Sequence, residues 1–429
     1  MGRYFGSDGI RGKYGDEINA QLMKKVGRAL GIFKTNICIV AMDTRNSSKE
    51  LKDALISGLN EAGFTIYDIN ISSSPSLIYL TKYYKCLGAI VTASHLPSEY
   101  NGLKIAFNGS KLTEEEMESL ENELGKTIPA SDNRKLQFFS NYEYTKALSN
   151  FKIREDLKVA FDFANGALSY QYKEVLKNYK FRTALVGNKP DGENINLNSG
   201  INDLSLLKQA IDLESCDYGF AFDGDADSLI MVDKDFNIFD SEKILYILAN
   251  YYKSKGKLTG DMVVVSPDHN PGLKNSLLKE LEVNVSYSLD GDRCLVEAMQ
   301  ENNAILGGDI FNHIVLRKIS NASDGLLVAL FLLEIFSDRK PQDLLDGYVE
   351  EEVLCEKYRD YDDRFVQSQK YKKELEHLIS SSVSPGINIT VVARKTEYDN
   401  LFRVTIKTPD KALDKKILKE IEELAGATK

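Results

Sequence analysis

Short apolar runs of four or five residues recur along the chain, and longer stretches with apolar positions at helical spacing lie between them. The short runs suit buried strands and the longer ones amphipathic helices. Residues 37–41 read as a strand, and 48–62 as a helix with Ser at its cap and Gly63 at its end. Further strands are predicted over 65–69, 88–92, 103–107, 158–161, 218–222, 262–265, 283–287 and 304–306. Such alternation predicts an α/β protein with parallel or mixed sheets. The tail differs: two β-rich runs, 387–393 and 401–407, precede an amphipathic helix over 411–424.

A chain of 429 residues exceeds one ordinary core. Polar stretches near 145–156, 253–260 and 358–373 read as connections. The expected domains are therefore 1–150, 151–252, 253–360 and 361–429, and no stretch repeats another at the level of identity.

Hydrophobic content of 43% and charged content of 28% describe a soluble globular protein. The net charge is −10 with no polybasic block, so nucleic-acid binding has no electrostatic support. A negative total leaves a phosphorylated substrate open, because a few cations gathered in one cleft suffice. Five widely spaced cysteines with no Cys-x-x-Cys pair, and only four histidines, argue against zinc and for free buried thiols in a reducing compartment. No apolar signal core opens the chain, and Gly6 stands where a myristoylation start needs Ser or Thr. The longest apolar stretch, 326–333, is too short to span a bilayer. A cytoplasmic protein is expected.

The first candidate for chemistry is Asp223-Gly224-Asp225-Ala226-Asp227, three carboxylates at alternate positions behind a strand. Clustered hard oxygen donors suit Mg²⁺, with a phosphate oxygen as a further ligand. An EF-hand also begins Asp-x-Asp-x-Asp, but its sixth and twelfth positions are Ser228 and Lys234 here, not Gly and Glu. The remaining bland alternative is a solvated acidic turn. A second candidate, Thr92-Ala93-Ser94-His95-Leu96-Pro97, follows a strand at the end where α/β proteins place ligands. No Gly-x-Ser-x-Gly elbow supports a serine hydrolase, so a Ser/His turn stopped by Pro97 is its plain alternative.

Other segments come in a telling order. Phe5-Gly6-Ser7-Asp8-Gly9-Ile10-Arg11-Gly12, Asp43-Thr44-Arg45-x-Ser47, the Ser94 loop with Asn101-Gly102-Leu103-Lys104, and Pro190 to Asn196 precede the Asp223 loop. Gly291-Asp292-Arg293, Gly307-Gly308-Asp309-Ile310-Phe311-Asn312-His313 and Asp324-Gly325-Leu326 follow it. Nearly end to end, this series resembles the α-D-phosphohexomutase superfamily, most closely its phosphoglucosamine mutase branch. The resemblance implies three mixed α/β domains of related topology plus a smaller C-terminal α+β domain, around a central cleft. It implies that Ser94 carries a phosphoryl group and that Asp223, Asp225 and Asp227 bind Mg²⁺ with an oxygen of that phosphoserine. Arg11 and His95 would flank the phosphate, and Lys104 would assist proton transfer. The implied reaction moves a phosphoryl group between the 6 and 1 positions of a hexose or amino-hexose phosphate through a bisphosphate, with a sugar bisphosphate as activator. A homodimer is a further expectation of the same kind.

The recognition loops depart from the family pattern. The family's Gly-Glu-x-Ser-Gly-His sugar loop reads Gly308-Asp309-Ile310-Phe311-Asn312-His313, with Asp for Glu and Phe for Ser. Its C-terminal phosphate loop, Arg-Pro-Ser-Gly-Thr-Glu-Pro-x-x-Arg, keeps Arg394 and Arg403, and Thr396 stands for Ser, but Glu397 and Tyr398 replace Gly and Thr. Ser228 stands where the family has Arg after the metal loop, and Leu96 where it has Asn. By resemblance Asp309, Phe311, His313, Arg293, Arg394, Thr396 and Arg403 would face the substrate. Donor and metal residues persist while substrate-facing ones have drifted, so an active mutase of altered specificity leads. The alternatives are a catalytically inactive paralogue that binds a ligand or partner, and a phosphatase or mutase for another phosphorylated compound. Asp268-His269-Asn270-Pro271 reads first as a turn, and Asp162 to Ala167 as a structural strand end.

Overall fold

Strands such as Tyr218–Phe222 have no polar face, and the chain buries them in the middle of sheets flanked by helices. The computed structural model describes residues 4–6, 9–126, 135–289, 291–382, 390–395 and 401–428. Among these, one four-strand arrangement occurs three times. In the first unit Ile37–Met42 pairs in parallel with Thr65–Ile71 and with Leu87–Val91, and Leu87–Val91 pairs antiparallel with Tyr100–Phe107. In the second unit Lys158–Asp162 plays the central part, with Arg182–Val186 and Tyr218–Phe222 parallel to it and Leu229–Asp233 antiparallel beyond. In the third, Met262–Val265 lies between Asn284–Tyr287 and Leu306–Gly308, and Ile314–Leu316 closes the set antiparallel. The order is 2-1-3-4 each time, with only the fourth strand reversed.

A short loop therefore joins the third strand to the fourth in every unit. Those loops are 92–99, 223–228 and 309–313, and they hold Ser94, the aspartate triad and His313. Identity between the units has vanished, so the repeat is visible in topology alone. The first sheet gains the antiparallel strand Ile10–Lys13, which carries Arg11, and the parallel strand Lys135–Phe138 at its other edge.

The last sheet is antiparallel throughout, with Phe402–Lys407 between Leu354–Tyr358 and Thr390–Lys395. Helices Gln369–Ser382 and Lys411–Ala425 complete this α+β unit. Two boundaries expected from sequence move. Leu354–Tyr358 pairs into the last sheet, and Tyr358 is buried in that unit's core, so the polar stretch after it is not a connection. Helix Ser241–Ser254 packs on Leu306–Gly308 of the third sheet, so the third unit takes in residues assigned to the second. Helix Ser48–Glu61 forms as expected, but Ser47 makes no capping bond and the Ser48 hydroxyl turns to Asp43 at 2.6 Å.

Aromatic residues supply the core behind the acidic loop. Phe161, Phe163, Phe220 and Phe222 share one face by period-2 alternation, are fully buried and stack on one another. Cys38, Cys86 and Cys216 are buried free thiols, as expected, whereas Cys355 is exposed. Among the described residues no helix is long and apolar enough to cross a membrane. The most apolar, Gly325–Phe336, is a core helix capped by Asp324.

Burial drives the Asp324 carboxyl from its ordinary 3.8 up to about 7, against the pull of the Leu327 N–H and the Tyr144 hydroxyl. The neutral form is the one the fold favours. As pH rises from about 4 through about 7, the unfolded chain releases this proton first, and the folded protein loses stability. The loss approaches about 4 kcal/mol above that window, at 1.36 kcal/mol per pKa unit. Asn caps helices as well as Asp does. Asp324→Asn is therefore expected to raise the circular-dichroism unfolding midpoint relative to wild type at pH 8, with the advantage gone at pH 4. Equal midpoints at pH 8 would contradict this.

Candidate active site

The three equivalent loops converge. Ser94 adopts φ 52°, a left-handed conformation uncommon for a residue with a side chain, three residues past the end of the strand Leu87–Val91. Its backbone N–H donates to Thr92 Oγ1 at 3.0 Å. Its hydroxyl donates to Asp223 Oδ2 at 2.5 Å, across the boundary between the first and second units. Gly224 permits this approach, because a Cβ there would lie 2.6 Å from the Ser94 carbonyl. Gly166 packs against Gly224 in turn, since a Cβ on it would lie 2.3 Å from the Gly224 carbonyl oxygen, which gives the 162–167 segment a supporting role.

The serine loop is held by its carbonyls. The Arg45 guanidinium donates to the carbonyl oxygens of Ser94 at 3.0 Å, Leu96 at 2.8 Å and Tyr100 at 3.1 Å, and to that of Pro97. Asn196 donates to those of Ser94 and Leu96 at 2.8 and 3.0 Å, and Asn202 to that of His95 at 3.0 Å. Arg45 is itself fixed by Asp43 at 2.8 Å, both side chains being fully buried. Removing one partner of such a pair leaves a buried charge uncompensated, at a cost of about 3–5 kcal/mol. Arg45→Met is expected to lose stability on that scale and to expose the amides of 94–96 and 98–100 to hydrogen exchange. Wild-type exchange rates there would refute the role.

Asp223, Asp225 and Asp227 are buried, and one oxygen of each lies within 4.8 Å of the others. Lys104, in the strand Tyr100–Phe107, places Nζ 2.7 Å from Asp225 Oδ2 and 2.6 Å from Asp227 Oδ2. His313 Nε2 stands 3.4 Å from Asp227 Oδ1. Burial and the charges of Asp227 and Asp225 hold the Asp223 carboxyl well above the usual carboxylate range. Burial pushes Asp227 the same way, but Lys104 and His313 outweigh it and hold that group well below. The two carboxyls therefore differ sharply in how readily they give up a proton. Burial, then the charges of Arg11 and Lys104, press the His95 imidazole down to about 4, so the ring is neutral at physiological pH.

The donor set fits a hard divalent cation. It offers only oxygens, carries more negative charge than Lys104 balances, and leaves Asp225 Oδ1 and Asp227 Oδ1 buried with no hydrogen bond among the described residues.

Residues 2–130, 142–236 and 240–351 match, in turn, the alpha/beta/alpha domains I, II and III of phosphoglucomutase/phosphomannomutase. The phosphoglucosamine mutase of Acetivibrio thermocellus is 34% identical, over 93% of this chain and 96% of its own. The chain belongs to the α-D-phosphohexomutase superfamily. It is a mutase, an intramolecular phosphotransferase. The phosphoglucosamine mutase of Limosilactobacillus reuteri is 35% identical over 78% of each chain. Among solved structures, a phosphoglucomutase/phosphomannomutase family protein from Burkholderia thailandensis shares the fold, with TM-score 0.82 and 20% identity over 98% of this chain and 96% of its own.

In this phosphohexomutase the third unit's loop is joined to the acidic one through backbone. Leu229 N–H donates to the Asn312 carbonyl at 3.1 Å, and Ser228 bridges to His313. Asp309 is fully buried, and its oxygens accept from Phe311 N, His313 N, Gly291 N and His313 Nδ1 at 3.0, 3.2, 3.3 and 2.8 Å. Four bonds fill a carboxylate's capacity. Asp309 thus orients the loop and the His313 ring, where the resemblance had it facing the sugar. Phe311 lies under the Arg403 guanidinium, 5.2 Å from ring centroid to carbon. Arg394 pairs with Asp268, so the 268–271 turn faces the last unit. Thr396, Glu397 and Tyr398 lie outside the described residues. Arg293 reaches Glu297 at 3.4 Å and lines a cavity of about 170 Å³ with Lys111 and Asp292.

Reading the sequence assigned no role to Arg45, Asn202, Lys111 or Ser74. Arg45 stood inside a named motif, and Lys111, which pairs with Asp292 at 2.5 Å, follows the Lys104 strand. Nothing local marks Asn202 or Ser74.

Proposed function

We propose that the chain is a Mg²⁺-dependent phosphosugar mutase that moves a phosphoryl group between O6 and O1 of a hexose or amino-hexose phosphate, with Ser94 as the covalent carrier. The observation that carries this is the Ser94 hydroxyl 2.5 Å from Asp223 within a buried triad of carboxylates. Asp223, Asp225 and Asp227 would hold the ion, which when bound supplies charge to neutralise phosphate oxygens. Ser94 Oγ gives its phosphoryl group to O1 of a sugar 6-phosphate and leaves carrying the negative charge. Lys104 Nζ would manage the proton lost from the sugar hydroxyl. The bisphosphate then turns, Oγ takes the phosphoryl group from O6, and the 1-phosphate departs. Neutral His95 and Arg11 would donate hydrogen bonds to the group in transit, and positioning with charge stabilisation supplies most of the rate. An amino-sugar phosphate is the favoured substrate, since the relatives over most of the chain's length are phosphoglucosamine mutases. A cytoplasmic location and a homodimer belong to the same proposal.

The test is incubation with Mg²⁺, a hexose 1,6-bisphosphate and a panel of 6-phosphosugars that includes glucosamine 6-phosphate. A 1-phosphate product is expected. None from any sugar, with Ser94 verifiably phosphorylated, would sink the proposal.

A second reading, a non-catalytic paralogue, draws on one feature: Arg394 and Arg403 are turned to Asp268 and Phe311 of this same chain. It requires that Ser94→Ala leave the biological role intact, and a mutase requires the opposite.

A further inference from the structure

Ser74 belongs to none of the motifs above, yet it touches the triad. Its hydroxyl donates to Asp225 Oδ2, the oxygen that also lies 2.7 Å from Lys104 Nζ. Its backbone N–H donates to the Asp225 carbonyl at 3.0 Å. The adjoining Ser73 N–H reaches Gln171 Oε1 at 3.1 Å. The start of helix Ser74–Tyr84, in the first unit, is thereby pinned to the second by three hydrogen bonds. Ser74 is buried, and the other Asp225 oxygen, Oδ1, is buried without a hydrogen-bond partner among the described residues.

We infer that Ser74 is a positioning residue for the cation loop. An aspartate carboxylate rotates over a broad, two-fold torsional well, so the side chain alone does not decide which oxygen it presents. With Oδ2 engaged by Ser74 and Lys104, Oδ1 is the oxygen left for a divalent cation. Hydrogen-bond partners of this kind fix a ligand before the metal arrives, and their loss typically weakens metal binding 10–100-fold. The inference rests on the reading of 223–227 as a cation loop. It also makes that loop depend on both units, since Ser94 and Ser74 reach it from two separate turns of the first. A role in fastening the units alone makes a different demand. The backbone bond from Ser74 and the Ser73–Gln171 bond survive substitution of the hydroxyl, so fastening alone leaves metal affinity unchanged.

Thr and Val have nearly the same shape, and only Thr keeps a hydroxyl. Ser74→Thr and Ser74→Val are compared with the wild-type chain by Mn²⁺ titration, read by electron paramagnetic resonance without turnover, with circular dichroism to verify folding. The wild type and S74T are expected to bind one Mn²⁺ alike, and S74V about 10-fold more weakly. S74A, which removes the hydroxyl without added bulk, gives the same comparison if S74V does not fold. Wild-type affinity in the hydroxyl-free variant, or equal weakening in S74T, overturns the positioning role. A wild-type chain that takes up no Mn²⁺ overturns the cation loop itself, a separate result.

Discussion

Replacing Ser94 by Ala is expected to lower mutase turnover by at least ~10⁴-fold while leaving the fold intact. The loss is large because no other group can take over the covalent step. The Ser74 hydroxyl also reaches the triad, but it is committed to Asp225, not Asp223. The fold survives because the loop is held by backbone carbonyls, through Arg45, Asn196 and Asn202, none of which touches Oγ. Asp223 loses one donor, and since burial and its acidic neighbours already favour its protonated form, the stability cost stays near 1 kcal/mol. Two measurements check this. Intact mass after exposure to a hexose 1,6-bisphosphate should show a phosphoryl increment in wild type and none in S94A. Turnover of a 6-phosphosugar should fall with it. A variant that keeps wild-type turnover would remove Ser94 from the mechanism whatever its mass shows.

What the sequence revealed of this site follows from where the chain spends its local signals. Asp223, Asp225 and Asp227 were legible because three carboxylates within five residues and behind a strand have few uses. Ser94 and Lys104 were legible only through the order of motifs, since a Ser beside a His, or a Lys within a strand, says nothing alone. The strands were legible because apolar runs bounded by turn residues are the primary signal of a buried strand, and most ends fell within two residues of those observed. The threefold 2-1-3-4 arrangement was not legible. It is a property of hydrogen-bonding partners, and Gly307-Gly308 in the third unit shares no pattern with Ala221-Phe222 in the second, although both end the third strand.

Ser74 and Asn202 escaped for another reason. Their partners, Asp225 and the His95 carbonyl, lie more than a hundred residues away, and a serine before a proline reads locally as a helix start, which it also is. Asp309 holds its loop in a way that the motif, in which Asp and Glu look equivalent, does not announce. The shorter side chain keeps its carboxylate against its own loop, where three N–H groups of that loop and the Gly291 N–H consume it.

The buried lysine gives the second large effect. Lys104→Met is expected to cost ~10²–10⁴-fold in turnover, the usual worth of a general acid–base group, and yet to bind Mn²⁺ more tightly than wild type at pH 8. Lys104 Nζ sits 2.7 and 2.6 Å from two of the three carboxylates, so an entering cation meets a like charge already in place. At ~4 Å and an effective dielectric near 20, each unit of that repulsion is worth about 4 kcal/mol. Methionine removes the repulsion and keeps the length of the stem. The pH matters because Lys104 is the leading influence that lowers Asp227 against burial. Without it the Asp227 carboxyl moves upward, and protons compete with the metal more strongly as pH falls. The gain in affinity should therefore shrink from pH 8 towards pH 5. Asp227→Asn makes the contrast, since it removes an oxygen charge and should lose turnover and Mn²⁺ affinity together. Parallel titrations and rate measurements on the two variants decide the matter. Weaker binding in K104M at pH 8 would mean that Lys104 organises the carboxylates more than it repels the ion, and retained turnover would mean that the proton passes through another group.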